Sequence, residues 1–295
     1  MSRLFCFGLG YSAAALARKV RGLGWSVAGT SRENESCAAL AALGYDMCRF
    51  SRTYPLRDSS ALAGTTHLLL GIPPDDAGDP VETLCGTALA SPELQWAGYL
   101  STTAVYGDRG GDWVDELTPS APSSERGRRR LAAEEAWRRI MSQCGMPLHV
   151  FRLAGIYGPG RSAFDQVRAG APRIAKLNQV FSRIHVEDLA EALFASMAQP
   201  TPGALYNICD DEPASQSEVV AHAARLLGRT PTPELPFAEA PLSEMARSFF
   251  TENKRVRNAR MKAQLGIRLR YPTYREGLAA ILAAEPVMAP RSKPR

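Results

Sequence analysis

Gly8, Gly10 and Ala13 stand at the spacing G-x-G-x-x-A within the run Gly8-Leu9-Gly10-Tyr11-Ser12-Ala13. The chemistry open to such a run is anion binding by the main chain. Gly8 permits a tight turn, Gly10 lets the backbone approach a pyrophosphate, and Ala13 is small enough for close helix–strand packing. The following helix directs unpaired N–H groups at the anion, and Leu9, Tyr11 and Ser12 complete the same cradle. Glycine-rich turns are common, so the spacing carries this meaning only between a strand and a helix. Both flanks are present. Residues 4–7 are a short apolar run, and the Ala-rich residues 12–21 end at Gly22 and Gly24.

A second chemical signal follows at Gly29-Thr30-Ser31-Arg32, where the second strand is expected to end. An NAD-binding turn usually carries Asp or Glu there, to accept from the ribose 2′-hydroxyl. Ser31 and Arg32 instead suit a 2′-phosphate, which an acid would repel. The expected cofactor is therefore NADP, with NAD the lesser expectation. The alternative is an ordinary exposed arginine. Gly71 and Ile72, closing the fourth expected strand, are also assigned to the cofactor side.

The elements that must position these groups alternate through the first 150 residues. Strands are expected at residues 4–7, 25–30, 45–50, 66–72, 98–101 and 148–152. Helices are expected at 12–21, 37–43 and 81–89. Short apolar strands separated by helices imply an α/β fold: a doubly wound Rossmann-type parallel sheet with helices on both faces. Residues 106–127 read as a long Gly/Asp/Ser/Pro-rich loop of the kind that carries function. A helix then runs to about Met141. Amphipathic helices are expected at 186–197 and 216–227. The division expected is a dinucleotide-binding domain at 1–152, a smaller C-terminal α/β substrate region completing the sheet at 153–284, and a disordered tail at 285–295.

At Ser101-Thr102-Thr103-Ala104-Val105-Tyr106-Gly107-Asp108 the chain resembles the S-[ST]-x-x-V-Y-G-D signature of the extended short-chain dehydrogenase/reductases, the group of nucleotide-sugar epimerases and dehydratases. Further matches follow in order. Arg152-Leu153-Ala154-Gly155-Ile156-Tyr157-Gly158-Pro159-Gly160 is similar to their R-x-x-x-x-Y-G-P stretch. Arg183-Ile184-His185-Val186-Glu187-Asp188-Leu189-Ala190 is similar to their I-H-V-x-D-L-A helix start, and Tyr206-Asn207-Ile208 and Leu265-Gly266 to later landmarks. The resemblance covers nearly the whole chain. It implies that Thr102 is the hydroxyl that hydrogen-bonds the reacting carbonyl or alcohol, a task for which a donor and acceptor is suited. The alternative is a strand-end threonine satisfying backbone groups. Tyr106 is a further candidate for the catalytic pocket, its alternative being a packing residue.

The chain departs from the family at its acid/base. The resemblance implies a Y-x-x-x-K pair on the next helix, whose phenol shuttles the proton accompanying hydride transfer. Aligning Gly127 and Leu131 puts Arg126 at the Tyr position and Arg130 at the Lys position. No Tyr lies between Tyr106 and Tyr157, and no Lys between Lys19 and Lys176, so no shift of alignment restores the pair. Arg130 retains the positive charge and is assigned to the cofactor. Arg126 cannot replace the phenol, because a guanidinium does not give up its proton. The chain thus resembles an atypical branch, nucleoside-diphosphate-sugar epimerase-like, that keeps the fold and cofactor loop and loses the dyad. Arg126, Tyr157, Arg161 and His185 are candidates for holding an anionic or sugar-nucleotide-like substrate, with Glu125 a further candidate acid. Two activities stay open: a reductase, epimerase or dehydratase using another acid, and a cofactor-loaded sensor or scaffold.

Composition narrows the rest. A chain of 295 residues with 45% hydrophobic and 22% charged residues can bury a substantial core. Its formal net charge of +5 comes from arginine-rich helical runs with no nucleic-acid reading motif, so a nucleic-acid partner is not expected. No stretch is apolar for the roughly 18 residues a membrane helix needs. The six cysteines show no metal spacing, and with no export signal a reduced cytoplasmic setting is expected. A small-molecule substrate, no metal, and a monomer or homodimer complete the expectation.

Overall fold

The apolar runs of the N-terminal half assemble as parallel strands, and the central ones, at Arg3–Phe7, His67–Leu70 and Trp96–Thr102, are buried on both faces. The computed structural model describes residues 2–56 and 59–285, apart from the side chains of Ser59 and Met245. Seven strands form the main sheet: β1 Arg3–Phe7, β2 Ser26–Ser31, β3 Asp46–Arg49, β4 His67–Leu70, β5 Trp96–Thr102, β6 Leu148–Leu153 and β7 Leu205–Ile208. Their order is β7-β6-β5-β4-β1-β2-β3, with every pairing parallel. This is the doubly wound Rossmann arrangement. The strand order reverses between β1 and β4, where ligands of such sheets bind beyond the carboxyl ends. Residues after 152 contribute β7, so the sheet is completed by the C-terminal part of the chain.

Helices cover both faces. They are α1 Tyr11–Arg21, α2 Asn34–Ala42, α3 Pro80–Leu84, α4 Glu125–Cys144, α5 Ala163–Arg168, α6 Val186–Ala198, α7 Gln216–Leu226, α8 Glu244–Phe249, α9 Ala259–Leu265 and α10 Tyr274–Ala284. One face packs α1 and α6 on the sheet through Leu16, Val20, Leu189 and Leu193. The other packs α4 through Ala133, Trp137 and Ile140. A third apolar cluster, with Tyr157, Phe164, Val219 and Leu278, joins α5, α7 and α10 away from the sheet.

Two boundaries differ from the sequence reading. The helix expected at 81–89 is only α3 followed by a 3₁₀ turn at Gly86–Leu89, because Gly86 sits at φ +40°. Helix α4 begins inside the expected loop, where Ser124 accepts from the N–H of Gly127 and starts it early. Within the loop, Trp113–Val114 pairs in parallel with Arg255–Val256 and pins it to the C-terminal part. Of the expected disordered tail, Glu285 caps α10 and pairs with Arg168. Residues 286–295 lie outside the described residues.

Candidate active site

The carboxyl ends of β1 and β4 lie side by side at the reversal point. The Gly71 N–H donates to the Phe7 carbonyl at 3.0 Å. Gly8 has φ +85°, and a Cβ on it would lie 3.0 Å from Ile72 Cγ1, so both geometry and space demand glycine. Thr30 fixes the turn: its hydroxyl accepts from the Gly8 N–H at 2.9 Å and its carbonyl from the Leu9 N–H at 2.8 Å. The Leu9 and Ala13 side chains are buried in the core. Their place in the cradle is therefore a backbone one.

Gly10 behaves differently. A Cβ there would meet nothing within 4 Å, so no protein atom excludes a side chain. As N-cap of α1 it supplies no side-chain acceptor, and no acid lies in the first turn. The N–H groups of that turn are left for a ligand, and the open space beside Gly10 is where an anion would enter. The residues present fit a dinucleotide diphosphate. Ser31 ends β2, and Arg32, 80% exposed, pairs with Glu33 at 3.0 Å.

At the end of β5 the groups are side chains. The Thr102 hydroxyl accepts from the Ala104 N–H at 3.2 Å and caps the 3₁₀ turn Thr103–Tyr106. It makes no hydrogen bond as a donor among the described residues, which leaves its own proton available. Helix α4 approaches this turn closely, and a Cβ on Gly127 would sit 2.8 Å from the Ala104 carbonyl oxygen. Arg126 and Arg130 flank that contact. The Arg130 Nη1 donates to the Leu100 carbonyl at 2.7 Å, while its buried Nε has no partner. The Arg126 guanidinium stacks on Phe249 of α8, 4.1 Å from the ring centroid.

Comparison with known proteins agrees with this architecture. Residues 84–209 match the model of the NAD dependent epimerase/dehydratase family. Protein YeeZ of Escherichia coli (strain K12) is 29% identical over 242 residues, 78% of this chain and 86% of YeeZ. The solved structure of a functionally unknown conserved protein from Silicibacter pomeroyi DSS superposes with a TM-score of 0.88 at 50% identity, covering 96% of this chain and 99% of that one. The UDP-glucuronic acid 4-epimerase of Bacillus cereus, solved with UDP-glucuronic acid and NAD, gives a TM-score of 0.77 at 16% identity, covering 96% and 98%. At that identity the likeness is one of fold.

The chain has the fold of these epimerases, and its residues 84–209 are similar to the NAD dependent epimerase/dehydratase family.

Several side chains singled out in the sequence take other places. Tyr106 is fully buried, donates to Asn207 Oδ1 at 2.8 Å and lies under the Arg152 guanidinium. Burial raises its phenol above the ordinary range, so Tyr106 is a packing residue and not an acid of the cleft. Tyr157 spends its hydroxyl on the Thr273 carbonyl at 3.3 Å, and burial raises it too. His185 caps α6, accepting from the Glu187 N–H at 3.3 Å, and packs between Tyr157 and Tyr271. Burial lowers its imidazole to about 4, which makes it a neutral cap with a buried, unpartnered Nε2. Arg161 stands over Tyr11, 5.7 Å from the ring centroid. Glu125 is exposed and pairs with Arg128 and Arg129, which makes it an N-terminal helix residue.

Two groups beneath the site escaped sequence reasoning. Glu134, one turn beyond Arg130, forms a buried ion pair with Arg152 at 2.8 and 3.1 Å and accepts from Ser101. The signal was there: Arg152 is a charge inside the otherwise apolar end of β6, and such a charge needs a partner. The second group, Lys254, gave no signal. It is buried, donates to the Gly107 carbonyl at 2.9 Å and pairs with Glu252 at 2.7 Å. Glu252 also accepts from Ser124 at 2.8 Å, so this pair ties the loop after Tyr106 to the start of α4. Among the described residues no cluster could hold a metal ion and no helix is long and apolar enough to cross a membrane.

Proposed function

We propose that this protein binds NADP(H) and works as a reductase, epimerase or dehydratase on an anionic or sugar-nucleotide-like small molecule, without the Tyr-Lys pair. The observation that carries the reading is the close approach of α4, with Arg126 and Arg130 on one face, to the 3₁₀ turn that Thr102 caps. Two guanidinium groups cannot exchange protons at neutral pH, but they pair with phosphate or carboxylate. When bound, the nicotinamide ring supplies or accepts a hydride. Around it, the free Thr102 proton is suited to polarise a carbonyl, and Arg126 becomes available to an anionic substrate by leaving Phe249. The Bacillus cereus relative's sugar-nucleotide ligand supports the anionic substrate class. Ser31 and the exposed Arg32 support a 2′-phosphate. Turnover would take place in the cytoplasm, in a monomer or homodimer.

A second reading, a cofactor-loaded sensor, is favoured by one observation. Two candidate phenols, Tyr106 and Tyr157, are both engaged and both raised by burial. The two readings separate in one assay. NADPH is mixed with UDP-sugars and small carbonyl compounds, and oxidation is followed optically. Turnover that falls by about 100-fold in Thr102→Ala, the scale of a lost oxyanion donor, is the enzyme's result. Tight NADPH binding with no oxidation across the panel is the sensor's.

A further inference from the structure

Tyr157 and Arg161 do not join Thr102 and Arg126. They line a separate cavity of about 220 Å³ between α5, α7, α10 and the strand Arg183–His185. No residue of the glycine loop, of β5 or of α4 lines it. Its wall is divided in character. Val219, Val220 and Leu278 are apolar, whereas Arg161 and Arg183 are cationic.

Arg183 is fixed from one side only. Its Nη1 donates to the Phe181 carbonyl at 2.7 Å and the Ala214 carbonyl at 2.9 Å. Nε and Nη2 have no hydrogen bond within the described residues, and they form the edge that takes a carboxylate through two parallel bonds. The Arg161 guanidinium likewise has no hydrogen bond or ion pair among the described residues. The acids nearby do not neutralise this charge. Glu218 is held in the capping box of Ser215 at the start of α7. Asp210 is 2% exposed, its Oδ2 has no partner, and burial raises its carboxyl to about 8 against the pull of Arg183. A carboxyl that keeps its proton at neutral pH leaves the arginine charge unmet.

We propose that this cavity binds a small organic carboxylate, its carboxylate on the free edge of Arg183 with Arg161 beside it and its apolar tail along Val219, Val220 and Leu278. The site goes beyond the NADP(H) reading and does not depend on it.

Titration calorimetry of the full chain tests the site with three probes: hexanoate, hexan-1-ol with the same tail and no charge, and inorganic phosphate with charge and no tail. Hexanoate is expected to bind about tenfold or more tightly than either comparator, a difference of ~1.4 kcal/mol. Arg161→Ala, at an exposed position, should weaken hexanoate by about tenfold on the same scale. Ala163→Phe, which fills the cavity from the start of α5, should abolish the hexanoate heat while the melting temperature and NADPH binding persist. The proposal fails if hexanoate gives no heat, if phosphate or hexanol binds as tightly, or if hexanoate binding survives Ala163→Phe in a folded protein. Loss of NADPH binding alone would count against the cofactor reading and leave this one standing.

Discussion

The carboxyl ends of β1 and β5 lie on one sheet with β4 between them, yet the groups they expose differ in kind. At β1 the working surface is main chain, shaped by the missing side chains of Gly8 and Gly10. At β5 the candidate groups are the side chains of Thr102, Arg126 and Arg130, and Arg126 and Arg130 are held by residues far away in sequence. Lys254 and Glu252 lock the loop between β5 and α4, and Phe249 holds Arg126. A backbone site tolerates drift elsewhere in the chain. A side-chain site changes chemistry when one anchoring contact changes, which is how a family fold can keep its cofactor loop and lose its usual acid.

The comparison can be broken most forcefully from below β5. Glu134→Ala would leave the buried Arg152 charge unpaired, and the expected loss is ~3–5 kcal/mol of stability. Chemical denaturation reads it, and a loss under about 1 kcal/mol, the size of an exposed pair, would show that the pair does not support this end of the sheet.

The β1 end is sharpened by Gly10→Glu. Because a Cβ at Gly10 meets no protein atom, the melting temperature should hold while an added carboxylate repels the diphosphate. Dinucleotide affinity is expected to fall by about 100-fold or more, ~2.7 kcal/mol. A variant that melts early, or that binds NADPH as before, would remove the cradle assignment.

Buried titratable groups act on stability in two directions. His67, His149 and His185 are each lowered by burial from 6.5 to about 4. The unfolded chain therefore takes up their protons first, and stability is lost as pH falls from 6.5 through 4. Asp210 runs the other way: raised from 3.8 to about 8, it favours folding at the acid end and loses that contribution as pH climbs through 8. Asp210→Asn should remove a downward slope of stability between about pH 4 and 8 and leave the curve above about pH 8 unchanged in slope. An unchanged slope between about pH 4 and 8 would mean that Asp210 ionises normally.

The smallest effect is expected at Arg32. If it meets a 2′-phosphate, Arg32→Ala should weaken NADPH by several-fold, within the ~0.2–1 kcal/mol scale of exposed pairs, and leave NADH untouched. Equal weakening of both nucleotides would deny it that role.

How much was legible follows the same division. The glycine turn was legible because its constraints are local: a φ of +85°, a neighbouring strand and a helix start all lie within a dozen residues. The Arg152 charge could have been flagged from its apolar strand, though its partner Glu134 needed the packing of α4 on the sheet. Tyr106 and His185 looked like site residues because their motifs are family motifs, and only burial assigned them to packing and capping.

The sequence alone determined the alternation of strands and helices, the glycine turn after the first strand and the lack of any tyrosine between Tyr106 and Tyr157, since each is a matter of residue type and short spacing. Tertiary structure decided which way the arginines face, that Lys254 closes over Gly107, and that Arg161 and Arg183 share a cavity away from Thr102. Side-chain direction and charge compensation depend on contacts across more than a hundred residues of chain, and one-dimensional spacing does not record them.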